Sequence, residues 1–119
     1  MPIRPIVPAL LASMILSATS SAWAHTTIIK SNIEDGSSIS TPPETFDFGF
    51  SAPVILIELS VQGQKSGEAE VDFAPSTTRA ESYTIPLPEL ANDDYTITWR
   101  AMAKDGHVMS GTIDFTVTQ

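Results

Sequence analysis

Apolar residues recur at every second position in stretch after stretch of this chain, and that period belongs to half-buried β-strands. Phe46, Phe48 and Phe50 flank Asp47 and Gly49. Tyr95, Ile97 and Trp99 alternate with Thr96, Thr98 and Arg100, and Ile113, Phe115 and Val117 alternate with polar residues. Less regular candidates cover 27–31, 54–62, 69–74 and 81–86. The run Val54-Ile55-Leu56-Ile57 is continuous, as in a strand covered on both faces. Asp35-Gly36, Pro42-Pro43, Ala52-Pro53 and the glycines at 63 and 67 punctuate these stretches as turns. Pro86 and Pro88 exclude a central strand there. The polar span 62–70 reads as a mobile loop, and 87–94 has room for one helical turn at most. No stretch of eleven residues keeps an apolar face at helical spacing. About seven short strands imply an all-β domain, a small antiparallel sandwich. Tyr95, after Asp93-Asp94, stands where a tyrosine corner would.

The first 24 residues follow a different pattern. One cation, Arg4, precedes an apolar stretch interrupted by Pro8, and a small-residue segment ends in Ala22-Trp23-Ala24. This is the layout of a secretory signal peptide with an A-x-A cleavage site. The stretch falls short of the roughly 20 apolar residues that cross a bilayer. The expected organisation is a signal peptide over 1–24 and one β domain over 25–119, exported without stable membrane insertion. Of the six Lys and Arg the leader holds one, and of the 14 Asp and Glu none, so a net charge of −8 becomes −9. That balance disfavours nucleic acid, whose phosphates call for basic side chains, and suits a soluble monomer. The absence of cysteine excludes disulfides, thiolate metal sites and a thiol nucleophile.

Chemistry concentrates on the only two histidines. His25 becomes the first residue after cleavage, so its α-amine and imidazole Nδ1 can close one chelate ring on a metal. His107 closes Asp105-Gly106-His107, between two strand candidates. On an extended segment, residues 105 and 107 point to one side. Each feature also has a plain explanation: a cleaved terminus must carry some residue, and Asp-Gly marks solvated hairpin turns. Together, His25, Asp105 and His107 supply three nitrogens and one oxygen, the tetragonal set that Cu(II) favours. Zinc accepts the same donors but prefers a tetrahedron. Imidazole ligation would make affinity fall below about pH 6, where protons compete for the nitrogens. The two histidines are 82 positions apart, and periodicity cannot bring them together.

The chain resembles the periplasmic copper-resistance protein C (CopC) family. The likeness is carried by Ala24-His25, Asp35-Gly36, Phe50-Ser51-Ala52-Pro53-Val54, and most specifically by Tyr95-Thr96-Ile97-Thr98-Trp99-Arg100 with Asp105-Gly106-His107-Val108-Met109-Ser110-Gly111, closed by Phe115-Thr116-Val117. The resemblance implies a Greek-key β-sandwich or barrel of about seven strands, immunoglobulin-like and of cupredoxin-like size. It implies one Cu(II) per chain on His25, Asp105 and His107, no catalytic role, and action in the periplasm beside a CopD-like inner-membrane copper transport protein. Only Met102 and Met109 remain after cleavage, too few for a methionine-rich Cu(I) site. Ala52 replaces the acidic residue that often follows the Phe-Ser pair, and Asn32-Ile33-Glu34 replaces the usual proline before Asp-Gly. Two other functions compete with a copper carrier or buffer. One is a copper monooxygenase of the lytic polysaccharide type, which also uses an N-terminal histidine. The other is a structural or adhesive sandwich module without metal.

Overall fold

The computed structural model describes residues 2–3 and 28–119. Seven strands make up the domain, with no helix among the described residues: β1 (Ile28–Ser31), β2 (Ser37–Ile39), β3 (Thr45–Gly63), β4 (Gly67–Ala69), β5 (Ala80–Pro86), β6 (Asp93–Ala103) and β7 (Val108–Val117). They join in one sheet of order β1-β3-β6-β7-β2, with β4 and β5 also pairing β3. All pairings are antiparallel except β2 with β7, which is parallel. The sheet curls into a half-barrel. A single sheet can enclose Phe46, Phe48, Val54, Ile97 and Val117 at no more than 2% exposure only by wrapping its apolar face around them.

The all-β expectation of about seven strands holds, with changes in detail. The stretches 46–50 and 54–62 are one 19-residue strand, running through Ser51-Ala52-Pro53 where a turn was expected. Pairing with β5 breaks between Gly49 and Val54, so the proline sits where it forfeits no regular ladder bond. A second irregularity, between Leu56 and Glu58 against β6, inserts Ile57. Phe46, Phe48, Phe50, Val54 and Leu56 face inward, and Leu59 and Val61 do so beyond the irregularity. One extra residue shifts the inward set by one, as a β-bulge must. Ile55 and Ile57 are half-buried, so the apolar run has one covered face and one partly covered face. The expected strand at 69–74 is replaced by the short β4, and 62–70 is a tight β3–β4 hairpin rather than a mobile loop. Strand β2 lacks alternation and was not expected. It forms where Gly36 N–H donates to Asp114 O at 2.6 Å and Asp114 N–H donates to Asp35 Oδ1 at 2.8 Å. Tyr95 makes the anticipated corner, its hydroxyl donating to Ala91 O at 2.6 Å.

Asp93 ties the β3–β4 turn to β6. It is 8% exposed, and its Oδ2 accepts the N–H of Ser66 at 2.7 Å and of Lys65 at 2.9 Å. Oδ1 accepts the Asp94 N–H at 2.8 Å. The Ser66 N–H bond is the main cause that lowers its pKa from 3.8 to about 2, against the opposing effect of burial and with further help from Lys65 N–H. A depressed carboxyl pKa contributes stability that is fully present above the ordinary value and is lost as pH falls through the folded one. Asp93→Asn is therefore expected to lower the melting temperature at pH 7, with the gap to wild type closing between about pH 4 and pH 2. Thermal melts across that range check it, and a gap constant with pH would remove Asp93 as the cause.

Candidate metal centre at the β6–β7 hairpin

Strands β6 and β7 pair continuously from Asp93↔Val117 to Met102↔Val108, so their connection is held at one end of a long rigid ladder. The connection is a tight turn. Gly106 N–H donates to Ala103 O at 3.0 Å, and Ala103 N–H donates to His107 O at 2.9 Å. Gly106 has φ +88°, a conformation that costs glycine least, and a side chain there would meet nothing within 4 Å. The requirement at 106 is thus conformational, as in a three-residue hairpin loop closed by a left-handed glycine.

This curvature corrects the extended geometry assumed for residues 105 and 107. Their side chains converge because the aspartate folds over the turn. Asp105 Oδ1 accepts the His107 N–H at 3.0 Å, and Oδ2 lies 2.7 Å from His107 Nδ1. The ring contact, followed by the N–H, holds the Asp105 carboxyl below the ordinary carboxylate value. It therefore stays ionised to lower pH than a free aspartate. Both side chains are open to solvent, at 84% for His107 and 63% for Asp105. A nitrogen and an oxygen donor this close are spaced like neighbouring ligands of one small metal ion, whose bonds to such donors run about 2.0 Å.

Among the described residues no group of three or more His, Cys, Asp or Glu side chains gathers around one point. Asp105 and His107 form a pair, and the third expected ligand, His25, lies outside the described residues. The register of the strands bears on where the chain enters the fold. Ile28 pairs with Phe50, and Val54, four residues further along β3, pairs with Ala103 at the base of the hairpin. Strand β1 thus begins at the end of the barrel that carries Asp105 and His107, and runs away from it.

Between β1 and the first half of β7 lies an open groove of about 840 Å³, lined by Ile28, Ile29, Trp99, Val108 and Met109 among others. Trp99 is 5% exposed and pairs with Gly111 across β6 and β7. A side chain at 111 would lie 2.7–2.8 Å from three atoms of the indole. The ring therefore occupies the space above Gly111, which explains a glycine that motif matching alone leaves unexplained. Phe50 meets the same indole edge-on at 5.3 Å, linking it to Phe48 and Tyr83. Met109 packs against the core and Met102 is half-buried in β6, so both serve as strand residues, as expected.

Comparison with known proteins agrees with this fold. A CopC domain model matches residues 28–118. Among solved structures, PcoC from Escherichia coli, described as a methionine-rich copper resistance protein, superposes with a TM-score of 0.60 at 27% identity, covering 80% of this chain and 100% of that one. CopC from Methylosinus trichosporium OB3b superposes with a TM-score of 0.59 at 20% identity, covering 78% of this chain and 93% of that one, a likeness of fold. The copper transport protein CutJ of Bacillus subtilis (strain 168) is 27% identical over 100 residues, which are 81% of this chain. The chain spans only 18% of the length of that relative. A domain model that covers the barrel from its first described strand through its last makes this chain a member of the CopC family.

Proposed function

We propose that the chain is a Cu(II) carrier or buffer of the periplasm, bound to one copper ion through the amine and imidazole of a processed His25, the carboxylate of Asp105 and the imidazole of His107. The observation that carries this reading is the Asp105–His107 pair, held 2.7 Å apart on an exposed turn at the end of the barrel where β1 begins. Thr26 and Thr27 separate His25 from Ile28, and the three residue steps between them reach about 10 Å when extended. The donors are neutral imidazole, amine and carboxylate, which suit a cupric ion better than soft Cu(I). The family supports copper as cargo, and the excess of carboxylates draws cations towards the protein without choosing among them.

Removal of residues 1–24 as a signal peptide is part of this proposal, because an internal histidine has no free amine. So is a membrane partner. In CutJ the matching stretch belongs to a copper transport protein several times longer, and a separate domain of the same kind would exchange copper with such a protein as a distinct chain. After processing, Trp99 is the one tryptophan left. Its fluorescence provides a copper titration from beneath the groove beside the hairpin. Wild type is expected to saturate at one Cu(II) per chain. Asp105→Asn, which keeps the shape and loses the charge, is expected to weaken binding about tenfold. Equal affinity of the two proteins would take Asp105 out of the site.

A further inference from the structure

We propose that the open edge of β7 at residues 108–112 is a receptor for an extended segment of a different polypeptide, one carrying alternate apolar residues and lysine or arginine between them. The hydrogen-bonding parity of β7 supports this. Asp114 O accepts from Gly36 N–H, Asp114 N–H donates to Asp35, and Thr118 N–H donates to Ile39 O, so even-numbered peptide groups face away from β6. His107 O, an odd-numbered group, accepts Ala103 N–H on the β6 side. The same parity turns the peptide groups of Val108, Ser110 and Thr112 outward. Strand β2 covers this edge only from Phe115 to Val117, and no described strand pairs with it over 108–112.

Exposed edges are usually protected by charge, proline or brevity. Here β2 and β4 are three residues long, and β5 carries Glu81 and ends in Pro86. The stretch Val-Met-Ser-Gly-Thr has neither charge nor proline. Ile29 and Val108 are the exposed large apolar residues of the described barrel, at 63% and 50%, and both line the same groove. Its opposite wall is β1. An added strand would find main-chain partners on β7 and apolar contacts on both rims, which is the pattern of β-strand addition.

Charge selects the occupant. Glu34 and Asp35 line the groove with one cation, Lys30, whose side chain lies over Gly49, and neither carboxylate forms an ion pair among the described residues. A second copy of a chain of net charge −8 would bring further negative charge to that rim, whereas a basic segment would be attracted.

The test uses the 15N-labelled protein as recovered from expressing cells, without copper, so its outcome is separate from that of the copper reading. The probe is a nine-residue peptide alternating valine with lysine and threonine, and the control is the same peptide with its central residue replaced by proline. Saturable amide shifts confined to Val108, Ser110, Thr112 and the facing residues of β1, absent with the control, are expected. Ser110→Pro removes an outward N–H and should weaken binding about tenfold, the effect of a lost main-chain bond. Ile29→Lys, at an exposed rim position, should weaken it as well while leaving the melting temperature unchanged. No shift at millimolar peptide, shifts elsewhere on the barrel, or concentration-dependent dimerisation through this edge would each overturn the proposal.

Discussion

One glycine added ahead of His25 in the processed protein is expected to weaken Cu(II) binding by about 100-fold or more, the scale on which joining two donors in one ligand raises affinity. The extension leaves the imidazole in place and moves the free amine one residue outward. The chelate ring of amine and Nδ1 can then no longer close as before. The fold should be untouched, because β1 begins at Ile28, beyond the site of the change. Melting temperature therefore serves as the internal control. Isothermal titration against a competing chelator gives the affinity, and acetylation of the amine should reproduce the loss. Unchanged affinity after extension would leave the imidazole as the only contribution of His25.

Gly111→Ala is expected to destabilise the fold by about 2 kcal/mol, in the range for forcing a methyl into a packed site. The added Cβ would stand 2.7–2.8 Å from Cζ2, Cε2 and Nε1 of Trp99. The indole is 5% exposed and already meets Phe50 edge-on, so it has little room to retreat. The strands must part or the ring must turn, and either response changes Trp99 emission. Denaturant unfolding followed by that emission measures the loss. The variant should still bind copper when folded, since Gly111 supplies no donor. A variant as stable as wild type would mean that the indole moves aside freely.

These effects differ in how far the sequence foretold them. The alternation at 113–117 fixes inward and outward faces directly, because β7 has no irregularity and period two survives along it. In β3 the same reasoning misleads, since the bulge at Ile57 shifts the inward set from even to odd numbers. A bulge leaves no compositional mark in this stretch. Strand β2 has no apolar pattern to read, because its formation depends on main-chain bonds to β7 and on the Asp35 carboxylate. Asp105 and His107 were legible as a pair from their spacing, although a turn, and not an extended segment, brings them together. The relation of Trp99 to Gly111 was out of reach, being set by the register of two strands that alternation cannot align. The 82 residues between His25 and His107 pose the same difficulty. The register of β1 on β3 and of β3 on β6 bridges most of that span, bringing Ile28 to the hairpin end.

The central claim is tested most directly by electron paramagnetic resonance of one equivalent of Cu(II) added to protein whose first residue has been verified as His25 by mass spectrometry. The account predicts a single tetragonal signal with coupling to three nitrogens, reduced to two in His107→Ala with the oxygen donor retained. A spectrum that is the same in wild type and His107→Ala, or one from several weak sites, would contradict it.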